Sequence, residues 1–123
     1  MSKKKDSFLI NRIKSIGFAF KGAYLLITTE ASLKVQLFIG VLMTVAGFYV
    51  GLSPTEWCIQ ILVIVLIMAI EGVNTAIEEI ADFIHPEHHP KIGLIKDLAA
   101  GAVFIVAVAA FIIGCIIYIP KFF

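Results

Sequence analysis

Charge is scarce in this 123-residue chain: Asp, Glu, Lys and Arg make up 15% of it, against about 25% in a soluble domain. Cysteine is limited to Cys58 and Cys115, with no paired motif, which excludes a disulfide scaffold. Lys and Arg number 10 against 9 Asp and Glu, a formal net charge of +1, so nothing in the balance points to nucleic acid. A collagen-like chain and a disordered, water-loving one are excluded as well. What dominates is apolar: 60% of the residues are hydrophobic and the mean hydropathy is +1.00. So small a soluble protein has too much surface to be so apolar. The chain reads as a single all-α integral membrane domain over residues 1–123.

Uncharged runs locate the spans. Residues 35–55 and 98–119 carry no charge, and each is long enough to cross a hydrocarbon core of about 30 Å. Residues 57–70 supply only about 21 Å at the rise of an α-helix. Continued to residue 81, this segment also spans, with Glu71 inside it. Three transmembrane helices are therefore expected, with the 82–97 segment as a loop. Residues 8–29 differ: Leu9, Ile13, Ile16 and Phe20 share one helical face, and Asn11, Lys14, Ser15 and Lys21 the other. That pattern predicts an N-terminal amphipathic helix lying in the membrane interface. Phe18 falls among its polar residues. Lys3–Lys5 leads directly into this amphipathic segment, so a cleaved signal peptide is not expected.

Three crossings put the N-terminal region and the 82–97 segment on one side of the membrane. That side carries Lys3, Lys4, Lys5, Arg12, Lys14, Lys21, Lys34, Lys91 and Lys96, and the other only Lys121. The bias predicts a multi-pass protein with a cytoplasmic N-terminus and an external C-terminus. The Ser53–Glu56 segment, with Pro54 as breaker, is then an external turn, and Trp57 sits at that interface.

Glu71, Asn74, Glu78 and Asp82 follow one another at intervals of 3, 4 and 4 residues. On a helix they fall within about 80° of arc, along a single face near the cytoplasmic boundary. Glu30 precedes the first span on the same side, and Lys96 and Asp97 precede the third. An acid within a span costs about 2.5–3.5 kcal/mol on insertion scales and asks for a partner or a function. Stacked carboxylates repel unless a cation or proton lies between them. Mg²⁺ is the expected cation, usually held by one or two carboxylates together with substrate phosphates. A polar seam between subunits, involving Lys96, and a proton-coupled carrier using Glu71 fit the spacing too.

The run Glu71-Gly-Val-Asn74-Thr-Ala-Ile-Glu78, followed by Lys96-Asp97-Leu-Ala-Ala-Gly-Ala-Val, resembles the prokaryotic diacylglycerol kinase family, which includes the undecaprenol kinases. The likeness covers nearly the whole chain. It implies a homotrimer in the bacterial inner membrane, with active sites shared between subunits on the cytoplasmic side. There the γ-phosphoryl group of Mg²⁺-ATP passes to a membrane lipid alcohol, diacylglycerol or undecaprenol. The absence of a P-loop fits that resemblance, since the family shares nothing with soluble kinases.

Carried over by motif position, the resemblance makes Glu71 the general base, which also meets the lipid, and Asn74 its polar neighbour. It makes Glu30 and Glu78 metal ligands that also face nucleotide. Lys14, Phe18, Asp82, Glu87, His88, His89, Lys96 and Asp97 become nucleotide contacts, and Lys21 keeps its family place in the amphipathic helix. The family's arginine position falls at Asn11, with Arg12 the nearest arginine, about 100° further round a helix. The Ser53–Trp57, His88–Pro90 and Ile119–Lys121 stretches look closer to the undecaprenol branch, from Gram-positive bacteria. Chemically, carboxylates for the metal and a lysine near the phosphates are the parts that phosphoryl transfer needs.

Other motifs carry less. His85-Pro-Glu-His-His-Pro90 suits a turn better than a tetrahedral zinc site. Cys58 and Cys115 suit inert packing. Gly40, Gly47, Gly51 and the Ala99–Ala102 run permit close helix approach. A carrier would need access from both sides, whereas the acids, Glu56 apart, are biased to one, and a non-catalytic scaffold leaves the Glu71–Glu78 spacing unexplained.

Overall fold

A computed structural model describes residues 7–123. Lys3–Lys5, part of the charge argument for orientation, lie outside them. Four helices follow in order: α1 (Phe8–Thr29), α2 (Ala31–Val50), α3 (Pro54–Ile84) and α4 (Pro90–Phe122). Among the described residues α2, α3 and α4 are long and apolar enough to cross a membrane. This is a multi-pass membrane fold, with α3 packed against both α2 and α4, and α1 against α2.

α1 opens with Ser7 as N-cap, its hydroxyl accepting from the Ile10 amide at 3.2 Å. No residue of this helix is buried; Leu9, Ile13, Ile16 and Phe20 keep their apolar faces uncovered, as an interfacial helix would. Near its end Thr28 and Thr29 turn their hydroxyls back onto the carbonyls of Tyr24 and Leu25 at 2.7 and 2.5 Å. Such back-bonding weakens and bends a helix. One extended residue, Glu30 (φ −95°, ψ 123°), then separates α1 from α2.

The uncharged stretch 35–55 is not one helix. α2 ends at Val50 because Gly51 takes the left-handed conformation (φ 73°), returning its amide to the Gly47 carbonyl; only glycine adopts this without cost. Pro54 also starts a helix instead of breaking one. It occupies the first turn of α3, where its missing N–H is harmless, behind a capping box of Ser53 and Glu56. The turn between α2 and α3 is therefore 51–53, and Glu56 belongs to α3. Lys121, in the last turn of α4, reaches Glu56 at 3.1 Å, pinning both helices at this end.

The expected 82–97 loop shrinks to 85–89. Charged residues do not stop a helix, so Asp82 extends α3, and Lys91, Lys96 and Asp97 lie on α4. The punctuation comes from Pro86 and from Pro90, which opens α4 at its first turn. With 31 and 33 residues, α3 and α4 reach about 46 and 50 Å, beyond the hydrocarbon core.

Few side chains are buried: the apolar ones are Leu33, Leu52, Ala81, Ala99 and Ile117. Hydrophobic burial is no driving force within lipid, so close approach and hydrogen bonds hold the helices. Gly40 lies against Ile64, and Gly47 against Trp57 and Leu52. Gly101 faces open space within the protomer. Near the Pro54 end of α3 a polar bridge joins all three spans. Buried Gln60 donates to the Met43 carbonyl at 2.9 Å and accepts from the Tyr118 hydroxyl at 2.5 Å.

A Cβ on Gly47 would come within 2.7 Å of the Trp57 ring, which cannot give way as a flexible chain end could. Gly47→Ala is expected to destabilise the protein by about 1–3 kcal/mol, read as a lower midpoint in detergent denaturation. Adding Trp57→Phe should recover most of the loss. An unchanged midpoint in the single variant would show that this corner has room to spare.

Candidate active site

α3 builds the site. It runs unbroken from Pro54 to Ile84, so Glu71, Asn74, Glu78 and Asp82 do stand along one helix face. Glu71, Asn74 and Glu78 are half-buried and Asp82 is exposed. Thr75 donates to the Glu71 carbonyl at 3.1 Å, leaving the Glu71 carboxylate uncommitted. Among the described residues none of Glu30, Glu71 and Glu78 is held in an ion pair. The most telling atom is Asn74 Oδ1. It is buried and has no hydrogen-bond partner among the described residues. A buried polar atom left unpaired costs about 1–3 kcal/mol, so the fold holds Asn74 on this face at a cost in stability.

Lys96 meets Asp82 at 2.6 Å, both side chains partly exposed. The contact sets the first turns of α4 level with the last turns of α3, bringing a cation beside the carboxylate face. Above it, Lys96 also lines a recess of about 270 Å³ with the 85–89 loop, Ile92 and Gly93. His85 Nδ1 pairs with the Glu87 carbonyl at 2.8 Å. His89, the N-cap of α4, accepts from the Lys91 amide at 3.0 Å, and the two rings stand edge to face. These bonds order the loop. They also leave the His88 and Glu87 side chains outward and exposed.

Glu30 occupies the α1–α2 break, half-buried, and its carboxylate makes no capping bond to α2. An acid at a helix start ordinarily serves as its cap, so this one is available for another partner. Arg12 lies over the Phe8 ring, 5.6 Å from its centre, and not against a carboxylate. Phe18 is exposed on α1. Within one chain, then, Lys96, Asp82 and the histidine loop come together, and Glu71, Asn74 and Glu78 share a face. Arg12 and Phe18 stay apart from them. Among the described residues no three His, Cys, Asp or Glu side chains cluster into a metal cage. Mg²⁺ held partly by substrate phosphates requires none, and the uncommitted oxygens of Glu30 and Glu78 suit that hard cation.

Two residues outside the expected set shape the site. Leu26 of α1 rests on Gly72 of α3, between Glu71 and Asn74, where a Cβ would fall 2.9 Å from Leu26 Cδ1. This contact seats the end of α1 against the carboxylate face. A glycine between two polar site residues was its only trace in the sequence. Because the opposing atom is the tip of a flexible side chain, Gly72→Ala should be accommodated by a turn of Leu26. Gly72→Phe should lift α1 away, lengthening the distance between spin labels at the exposed positions Tyr24 and Ile80. Identical distances in both variants would mean that Gly72 does not seat α1.

Known proteins resemble this chain along nearly its whole length. The family model for prokaryotic diacylglycerol kinase matches residues 17–118. The undecaprenol kinase of Bacillus subtilis is 38% identical over 98% of this chain and 99% of its own length. A diacylglycerol kinase from Synechocystis is 30% identical over 89% of this chain and 63% of its own. That of Escherichia coli is 30% identical over 85% of this chain and 86% of its own. With the matched region running from α1 to the last turns of α4 and taking in the whole carboxylate face, the chain belongs to the prokaryotic diacylglycerol kinase family.

Proposed function

We propose that this protein is an ATP-dependent lipid kinase of the bacterial cytoplasmic membrane. It transfers the γ-phosphoryl group to the hydroxyl of a membrane lipid alcohol. One observation carries the reading: in a chain of this family, Glu71, Asn74 and Glu78 share a helix face, and Asn74 Oδ1 is buried without a partner. Glu71 stands where a lipid hydroxyl arrives from the bilayer and acts as the general base that takes its proton. Asn74 orients the reacting groups. Glu30 and Glu78 would hold Mg²⁺, which neutralises charge on the transferring phosphates. Lys96, Asp82, Asp97 and the Glu87–His89 loop face the nucleotide, with Arg12, Lys14 and Phe18 approaching from α1.

The basic bias of the Lys3–Lys96 side puts the N-terminus and the site in the cytoplasm and the C-terminus outside. A homotrimer with shared sites supplies what one chain lacks, namely cover for the uncovered helix faces. As acceptor we favour undecaprenol over diacylglycerol. The relative named undecaprenol kinase matches at 38% across the full chain, the diacylglycerol kinases at 30%. A proton-coupled carrier finds no support among the relatives.

Purified protein incubated with labelled ATP should phosphorylate undecaprenol faster than diacylglycerol, and no product with either lipid would overturn the reading. Glu71→Gln should cut the rate about 10²–10⁴-fold, the usual contribution of a general base, while nucleotide still binds. Near-normal turnover would remove Glu71 from the chemistry.

The shared site has its own test. Protomers carrying Glu30→Gln and protomers carrying Glu71→Gln should each be nearly inactive, and subunit exchange in detergent should partly restore activity. Activity no higher than the mean of the two pure variants, with exchange verified by cross-linking, would refute sites built across subunits.

A further inference from the structure

The 85–89 loop holds two imidazoles whose hydrogen-bonding roles are fixed by the backbone. His85 Nδ1 lies 2.8 Å from the Glu87 carbonyl. A carbonyl oxygen only accepts, so this nitrogen carries the proton, and neutral His85 keeps a lone pair at Nε2. His89 is the reverse. As N-cap of α4 its Nδ1 accepts from the Lys91 amide at 3.0 Å, so the proton of neutral His89 sits on Nε2. The two rings stand edge to face, their centres 5.2 Å apart. Both line the recess of about 270 Å³, to which Lys96 also contributes. Among the described residues neither Nε2 is hydrogen-bonded. The recess is thus offered one acceptor, from His85, and one donor, from His89.

We infer that His85 and His89 together select the base of the nucleotide, favouring adenine over guanine through their opposite tautomers. The inference rests on the lipid-kinase reading, in which this loop faces ATP, and adds which base is accepted and by which atoms. Size agrees with a partial occupant. The 270 Å³ of the recess falls short of the roughly 300–1,000 Å³ of pockets that enclose a whole drug-sized ligand. Lys96 on its wall suits phosphates, which leaves the histidine side to the base.

Adenine presents an amino donor beside the ring acceptor N7, whereas guanine presents two acceptors there, O6 and N7. The adenine amino group can donate to His85 Nε2 while its ring nitrogen accepts from His89 Nε2–H. Guanine sets its O6 against the His85 lone pair, one acceptor facing another. A polar group left without its partner is what makes such a site discriminate. Protonation of His85 spares its Nδ1–H bond to Glu87 but fills the Nε2 lone pair, and the preference for adenine should go with it. The titratable groups around the two rings are Glu87 and His88 in the loop, Lys91 and Lys96 on α4, and Asp82 on α3.

Equilibrium binding of ATP, GTP and ITP, each with Mg²⁺, to the full-length protein in detergent tests this. ITP has the ring oxygen of guanine without its second amino group, so it isolates the edge that His85 meets. Near pH 8 the Kd for GTP and for ITP should exceed that for ATP by about tenfold or more. His85→Asn keeps a donor for the Glu87 carbonyl but sets no lone pair at the Nε2 position, and it should bind the three alike. A role confined to ordering the loop predicts instead that this variant behaves as wild type. The wild-type preference should shrink between about pH 8 and about pH 5.5, where histidine titrates, and the variant should show no such change. Nitrogen-15 spectra of the histidines should show opposite tautomers for His85 and His89. Equal binding of the three nucleotides by wild type, ITP bound like ATP, or a preference that survives His85→Asn would each overturn the inference. A protein that prefers ATP in this way but phosphorylates no lipid would overturn the kinase reading and leave the base assignment standing.

Discussion

The length of α3 relative to the bilayer governs the rest of the structure. About 46 Å of continuous helix must fit a hydrocarbon core of about 30 Å, so part of α3 has to project. The Pro54 end is closed by the Ser53–Glu56 capping box and the Lys121–Glu56 contact, so the surplus emerges at the other. That surplus carries Glu78 and Asp82 into the polar region and leaves Glu71 at its border. An acid deeper in the membrane would cost about 2.5–3.5 kcal/mol on insertion scales, and at the border Glu71 is spared most of that.

The same economy explains why so much of the molecule is uncovered. Three spans with small contact residues, Gly40 and Gly47 among them, gain their cohesion from close backbone approach and from one polar bridge. They do not enclose a pocket deep enough for lipid and nucleotide together. The open groove between α2, α3 and α4 is one of these uncovered faces.

Much of this was legible in the sequence, and the parts that were not have physical reasons. Uncharged runs reveal spans because charge is what lipid excludes, and the intervals between Glu71, Asn74, Glu78 and Asp82 reveal a face because the helix has a fixed period. Helix ends are another matter. Charge makes Asp82, Lys91 and Lys96 read as loop, whereas chain geometry at Pro86 and Pro90 decides where α3 stops and α4 starts. Gln60 and Tyr118 went unnoticed because neither carries charge, although an amide among apolar residues is a polar signal of its own. The seat of Leu26 on Gly72 was out of reach, since nothing local to either residue names the other. The relation of Glu30 and Arg12 to the carboxylate face involves surfaces that one chain leaves open.

The joint at Glu30 has a mechanical meaning. A single extended residue between two helices leaves no slack, so α1 and α2 behave as the arms of a bent lever pivoting at the headgroup level. The threonine pair just before the pivot softens one arm, and Leu26 ties that arm to the carboxylate face of α3. A tilt of α2 has a single residue in which to be absorbed, and what Glu30 does not absorb reaches α1 and its seat on Gly72.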